Sequence, residues 1–234
     1  MIDKGFIFEF FIIYTNNIML FNPSYVGLRQ DLISFVHKQD AVVLDLGCSN
    51  GVNGKYLLEN KLAQKVIGLE YDKLMAEEAA NFLTKVIHGD VTSANDWDKI
   101  GATTFDYVFM GDIIEHVTDS EKVLRFAKER LNQDGKIVLS LPNFQHIDVW
   151  VHLYRKGFFP RNDRGIFDKT HLRFFTQKNV EEMLDKEGLK IIEMKRHFRF
   201  RDSLDSKFPF YGFLLKRLFP KLYTFQFVFL IGVK

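Results

Sequence analysis

The chain reads as an α/β protein whose mostly parallel sheet is covered by helices on both faces. Three observations lead there. Apolar runs beginning at Val42, Val66, Val86, Phe105 and Lys136 alternate with helical stretches near 53–60, 73–82 and 119–131, and such alternation builds right-handed strand–helix–strand units. The first run passes straight into a glycine-bearing turn, Asp45-Leu46-Gly47-Cys48-Ser49-Asn50-Gly51. The second ends in a carboxylate, Glu70, one strand–helix–strand unit later. A tight turn opening a helix brings unpaired N–H groups close to a ligand, and an acid at that distance is placed to hold a ribose. The pairing implies a nucleoside cofactor at the carboxyl ends of the strands.

From the N-terminus, residues 1–23 read as an extension outside the domain. The stretch 5–14 is apolar, but Glu9, Asn16, Asn17, Asn22 and Pro23 interrupt it, so it makes a poor membrane span or signal peptide. Met19 is expected to be the true start. Residues 24–234 read as one domain. An amphipathic helix over 24–39 is expected to pack near the cofactor mouth. The glycine turn departs from G-x-G-x-x-G because Ser49 stands two residues after Gly47, which disfavours a dinucleotide. Gly54-Lys55 is followed by Tyr56, which excludes a phosphate-binding P-loop. No Tyr has Lys four residues on, which disfavours a short-chain reductase. A helix over 177–187 is capped by Thr176 and ends at Gly188. Residues 189–200 read as a sixth strand and 222–233 as the last.

The turn Asp45–Gly51 resembles the first motif of class I S-adenosylmethionine-dependent methyltransferases. Later signals follow in that family's order: Glu70, then Val86-Ile87-His88-Gly89-Asp90-Val91, then Phe105–Val117 with Gly111-Asp112-Ile113-Ile114-Glu115-His116-Val117, then Leu131–Ser140. The resemblance spans residues 41–145. It implies a Rossmann-like, seven-stranded sheet whose C-terminal strand runs antiparallel between its neighbours. It also implies S-adenosylmethionine as cofactor. Gly47 and Gly51 would pass against its methionine part, with Cys48 and Ser49 in the same turn, and Asp45 would organise the turn or hold the ammonium. Glu70 would take the ribose diol, Asp90 the adenine amine and the Val91 N–H a ring nitrogen, with Gly111 and Asp112 closing the far side. Cys48 is expected to be a small packing residue.

An insert, residues 144–175, follows the fifth strand on the substrate side. Its end, Gly165–Thr176, resembles a stretch of bacterial methyltransferases associated with surface-glycan and sugar biosynthesis, as does Leu218–Phe229. Methyl transfer is an in-line displacement that needs alignment and exclusion of water, and an alcohol acceptor must also lose a proton. His116, just past the fourth strand, and His171, with Asp168 as a possible orienting carboxylate, are the candidate bases. Arg173 is suited to a phosphate, a carboxylate or an acidic side chain. Asp112, Glu115, His116 and His171 carry metal-ligating atoms, but they form no dense ligand spacing and no metal is assigned.

The net charge of +2 shows no nucleic-acid footprint, and the single Cys48 excludes an internal disulfide and suits a reducing cytoplasm. The aromatic-rich stretch 208–229, with Lys216, Arg217 and Lys221, reads as a core strand with a covering helix. Its sharper reading is a surface for transient membrane contact or for a homodimer partner. The expected activity is methylation of a small molecule, a sugar or nucleotide-sugar hydroxyl first. A quinone precursor or other aromatic acceptor is the alternative, and a non-catalytic cofactor-binding subunit the reading from a different class.

Overall fold

A computed structural model describes residues 26–203 and 206–234. The extension 1–23, with its Met19 start, and the first two residues of the helix read over 24–39 lie outside the described residues. Seven strands form one sheet: β1 (Ala41–Leu46), β2 (Ala63–Glu70), β3 (Lys85–His88), β4 (Phe105–Gly111), β5 (Leu131–Pro142), β6 (Leu189–Phe198) and β7 (Thr224–Val233). Their order is β3-β2-β1-β4-β5-β7-β6. The pairs among β1 to β5 are parallel, and β7 lies antiparallel to both β5 and β6. This is the class I methyltransferase topology that the sequence implied.

Successive side chains on a strand point to opposite faces, and both faces of the central strands are covered, so β1, β4 and the ends of β2 and β5 toward the site are buried and largely apolar, whereas the edge strands β3 and β6 keep charged, exposed positions. Leu44, Leu46, Ile67, Leu69, Val108 and Met110 pack on one face with α5 (Ser120–Glu129) and α7 (Gln177–Lys186). Val43, Val66, Phe109 and Val138 fill the other with Leu57 of α2 (Val52–Glu59) and Ala79 of α3 (Lys73–Ala79). The chain leaves β1 for β2 on one side and later places β4 on the other. Ligands of such sheets bind at this switch of direction, outside the carboxyl ends of the strands.

Several boundaries differ from expectation. The helix over 24–39 shrinks to α1, Gln30–Ile33. Arg29 ahead of it is not helical, because its N–H donates to Asn53 Oδ1 and its guanidinium is drawn to Asp31, Asp112 and Ser140. After Ile33 the bonds tighten to three-residue turns, which bury Phe35 and Val36 against the sheet. The last strand starts at Thr224 because Pro220 opens the helical turn α9 (Pro220–Tyr223), and α8 (Gly212–Leu218) precedes it. Short elements that went unread include α4 (Ala94–Asp98), whose Trp97 reaches the core, and α6 (Ile147–Trp150) in the insert, which runs on into a wider helical turn over Val151–Arg155.

The capping of α7 is as the sequence suggests. Thr176 Oγ1 accepts from the Asn179 N–H, and Asn179 Oδ1 accepts from the Thr176 N–H. Replacing Thr176 by Ala removes the Oγ1 acceptor of the Asn179 N–H, while the main-chain N–H at 176 remains, and is expected to cost about 1 kcal/mol. Thermal melting should show this as a lowering of about 2–4 °C; an unchanged midpoint would mean that the cap contributes nothing.

Candidate functional site

The turn after β1 turns on three left-handed residues: Gly47 (φ 67°), Ser49 (φ 50°) and Gly51 (φ 80°). A side chain at Gly47 would collide with Ile113 of the β4 loop, and one at Gly51 with the backbone of Ala79. The two loops therefore touch at the switch point. Ser49 occupies left-handed space that glycine enters without penalty. Its N–H donates to Glu70 Oε2 at 2.7 Å, which holds the turn against the end of β2. Cys48 is buried, and its sulfur fills the space beside Gly68. Burial, and then Asp45 and Glu70, push its thiol up. That suits packing and not nucleophilic attack.

Asp45 and Glu70 are both buried at the ends of β1 and β2. Glu70 accepts two N–H bonds, from Ser49 and from Asp72 at 2.8 Å. Asp45 Oδ2 is buried with no partner among the described residues. Burial, and then Glu70, push the Asp45 carboxyl up to about 7, with Arg29 pulling the other way. Burial also raises Glu70, against the bonds from Asp72 and Ser49. Asp45 is thus the natural seat for a proton or a cation. Ser49 Oγ and Asn50 Oδ1 are likewise buried without partners, so acceptors outnumber donors around the turn. Such a set fits a cationic, donor-bearing amino-acid group, which is the methionine end of S-adenosylmethionine.

At the end of β3, Asp90 Oδ1 accepts from both the N–H and the hydroxyl of Thr92, each at 2.7 Å. Its N–H donates to Asp96, and the Val91 carbonyl accepts from Trp97 Nε1. These bonds hold the segment expected at the adenine in a fixed shape. At the end of β4, Gly111 lies against Leu32 and Arg29. Asp112 (φ 56°) is a hub instead of a lone carboxylate. It takes Arg29 Nη1 at 2.6 Å, Ser140 Oγ at 3.0 Å and Gln226 Nε2 at 2.6 Å. Sequence reasoning missed Arg29, Ser140 and Gln226, because only the fold brings them to Asp112.

Beyond Asp112, a short turn (Ile114–His116) meets the returning insert. The Glu115 carbonyl accepts from the N–H groups of Leu172 and Arg173 at 2.8 and 3.0 Å. The His116 and His171 rings lie edge to face with centroids 4.8 Å apart. Asp168 lies beside both histidines: its carbonyl accepts from the His171 N–H at 3.1 Å, and its charge acts to raise the His171 imidazole. Its Oδ1 takes the N–H and hydroxyl of Thr170, and Thr170 Oγ1 lies 3.0 Å from His116 Nδ1. The carboxylate is therefore also linked to His116, through Thr170. His171 Nδ1 faces the Ile166 carbonyl at 3.3 Å. Burial, and then His116, hold the His171 imidazole below the ordinary histidine range. Arg173 pairs with Glu121 at 2.9 Å and donates to the Thr118 carbonyl, the acidic partner among the three the sequence left open. A cleft beside these groups is lined by Glu115, Pro142, Phe144, His171, Arg173 and Phe174.

Fold and turn together define a class I S-adenosylmethionine-dependent methyltransferase. The chain belongs to a methyltransferase family, whose model, described as a methyltransferase domain, matches residues 25–194. It is 28% identical over 158 residues to the mitochondrial ubiquinone biosynthesis O-methyltransferase of Bos taurus. That match covers 64% of this chain and 41% of the relative, so the chain spans less than half of that protein's length. Among solved structures, a SAM dependent methyltransferase from Archaeoglobus fulgidus superposes with a TM-score of 0.64 at 16% identity, covering 99% of this chain and 100% of that one. Magnesium protoporphyrin IX methyltransferase from Synechocystis, solved with bound SAH, gives 0.59 at 13% identity over 88% of this chain and 83% of that one. At these identities the structural likeness is one of fold.

The Asp45 carboxyl gives a signed pH dependence. Its folded pKa of about 7 lies well above that of an ordinary aspartate, so the ligand-free protein holds a proton that the unfolded chain releases. That contribution favours the folded state at low pH and is lost as pH rises through about 7. A cationic ligand needs the ionised form. The affinity for S-adenosylmethionine should therefore climb by up to about tenfold per pH unit below pH 7 and level off above it. Calorimetry across this range, with Asp45→Asn expected to flatten the profile, tests the assignment; an equal slope in the variant would sink it.

Proposed function

We propose that the enzyme methylates a hydroxyl group on a sugar or nucleotide-sugar of surface-glycan biosynthesis, in the cytoplasm. The observation that carries this reading is the convergence of Glu115, His116 and His171 beside the cleft, one turn past the glycine loop's contact with Ile113. S-adenosylmethionine supplies an electrophilic methyl on a sulfonium. We assign it to Asp45, Gly47, Cys48, Ser49, Gly51, Glu70, Asp90, Val91, Gly111 and Asp112. The chain's own task is then to seat the acceptor, exclude water and take up a proton.

His116 is poised for that task. A carboxylate only accepts, so the Thr170 hydroxyl donates its proton to Asp168 and accepts from His116 Nδ1–H. That leaves the lone pair of the neutral ring on Nε2. The same logic holds for His171, whose Nδ1 faces a carbonyl. Arg173 is engaged by Glu121 and Thr118, so it acts in this reading as a latch on the insert and not as a substrate clamp. Support for the sugar class comes from the segment 165–176, which supplies Asp168, Thr170 and His171.

A specific observation favours a second reading, a quinone precursor or other aromatic acceptor. The cleft walls include Phe144 and Phe174, whose rings pack with centroids 4.5 Å apart, and the curated relative is an O-methyltransferase of ubiquinone biosynthesis. Incubation with a panel of nucleotide-sugars and catechols, read by product mass, decides between the two. In whichever class reacts, His116→Ala should lower kcat by about a hundredfold or more with the cofactor Kd unchanged. A variant that loses cofactor binding and turnover together would place His116 in the fold instead of the chemistry.

Our reading also includes transient contact with an anionic membrane surface. Phe210 is 99% exposed and Phe213 77% exposed, with Leu214, Leu218 and Phe219 open beside them. No acidic residue occurs from Ser206 to Lys234, whereas Lys207, Lys216, Arg217 and Lys221 do. Such a mix of rings and cations suits lipid headgroups. No helix among the described residues is long and apolar enough to cross a membrane. Co-sedimentation with phosphatidylserine vesicles should be lost in Phe213→Glu and at high salt. Protein that stays in the supernatant but sediments as a Phe213-dependent dimer would assign the surface to a second copy.

A further inference from the structure

We infer that the outer face of the insert docks on an anionic lipid bilayer, and that the acceptor is drawn from that bilayer, its hydroxyl on a headgroup and its apolar chain left in the lipid. This rests on the proposed hydroxyl methylation and names the class of acceptor. The face itself is the first support. Trp150 is 48% and Tyr154 76% exposed, one helical turn apart, with their rings stacked at 4.9 Å between centroids. Leu153 and Phe158 stand open beside them. The inner side of the same turn is fixed. Val149 and Phe167 are buried, the His152 ring packs on Phe167 at 4.9 Å, and His152 Nδ1 lies 2.8 Å from the Asp148 carbonyl oxygen. The rings outside are therefore held in water by the fold, as an interaction surface is. From Val149 to Asn162 the chain has no acidic residue, whereas Arg155, Lys156 and Arg161 occur. Tryptophan and tyrosine settle at the headgroup level of a bilayer, and long cationic side chains reach its phosphates. A second copy of this face would set cation against cation, but anionic headgroups complement it.

The second support is where the face lies. Strand β7 is antiparallel to both β5 and β6, with Gln226 opposite Pro142 and Thr224 opposite Phe198. The insert and the segment 199–223 therefore leave the sheet at one edge, the carboxyl edge that carries the cofactor turn. They are clasped there. Asp148 of α6 accepts from the Arg201 guanidinium and the Asp202 N–H, and Asp202 Oδ2 accepts from the Ile166 N–H at 3.1 Å. The acid-free face of the insert is thus continuous with the segment that carries the exposed rings and cations of α8. A run of rings joins this face to the cleft. Phe159, itself exposed, packs on the cleft walls Phe144 and Phe174, at 6.0 and 5.7 Å between centroids. The distribution of charge completes the argument. Among the described residues, Arg173 is the one Lys or Arg lining the cleft, and Glu121 and Thr118 engage it. The cleft thus suits an uncharged headgroup. The cations that would meet a phosphate stand outside, beside the rings, where the headgroup of a membrane-borne acceptor joins its chain.

The two tryptophans of the chain make the docking measurable. Trp97 is buried in the core and Trp150 is on the face. Full-length protein is mixed with vesicles of phosphatidylcholine and phosphatidylglycerol, with and without brominated acyl chains, and the cofactor Kd is measured in parallel as a check of folding. Trp150 emission should shift to the blue and be quenched by the brominated lipid. Trp150→Phe should leave only unquenched emission from Trp97. Each surface cation is worth about fivefold in partition to an anionic bilayer, so Arg155→Gln with Lys156→Gln should weaken binding by about twentyfold with the cofactor Kd unchanged. Binding to vesicles without quenching of Trp150 would assign the contact to α8 alone and overturn the insert as a docking face. Emission that follows protein concentration and ignores vesicles would give the face to a second copy. The acceptor is tested with S-adenosylmethionine labelled in its methyl group, incubated with membranes and with soluble extract of the source cells. Label is expected in lipid extracted from the membranes, and much less of it with the Arg155 and Lys156 double variant. Label confined to water-soluble products would overturn the membrane-borne acceptor and leave hydroxyl methylation standing. Label on an aromatic headgroup in the lipid extract would uphold the membrane-borne acceptor and remove the sugar.

Discussion

Two carboxylates buried side by side at the ends of adjacent strands organise this protein. Asp45 and Glu70 repel in a poorly solvated place, and the structure resolves the conflict unequally. Glu70 is satisfied by two main-chain N–H groups, one of which belongs to Ser49 and so fixes the glycine turn. Asp45 is left as the group whose charge depends on what else is present. The left-handed turn, its contact with Ile113 and the entry into α2 all follow from that division.

The parts legible in the sequence are those set by local rules. Doubly buried strands announce themselves as apolar runs, the glycine turn by its spacing, and α7 by Thr176 and Gly188. The parts not legible depend on distant partners. Arg29 looks like an ordinary cation before a helix, yet its bonds to Asp112 and Ser140 shorten that helix and fill the end of β4. Asp168 lies three residues before His171 in sequence, yet Thr170 also links it to His116, a partner that the spacing does not announce. Spacing along a chain says little about a loop whose backbone bends back on itself.

The helix α4 shows the same limit on a smaller scale. Its pattern, Ala-Asn-Asp-Trp-Asp, is too short and too polar to read as helical. Tertiary packing of Trp97 and its indole bond to the Val91 carbonyl hold it, and Asp96 closes onto the Asp90 N–H. A weak local preference is overridden by one large buried ring. The candidate adenine edge of the site is shaped by this element.

The way the insert rejoins the domain carries a consequence for how such enzymes diversify. Its returning segment is stitched to the β4 loop by main-chain bonds from Leu172 and Arg173 to one carbonyl, and to α5 by Arg173 pairing with Glu121. Its entry is tied by Asn143 to the Lys221 and Thr224 carbonyls. Both ends are anchored by contacts that ignore what lies between them. The intervening residues can therefore be exchanged like a cassette, with the cofactor half left unaltered. New acceptor preferences would arise by replacement of one loop, without redesign of the scaffold.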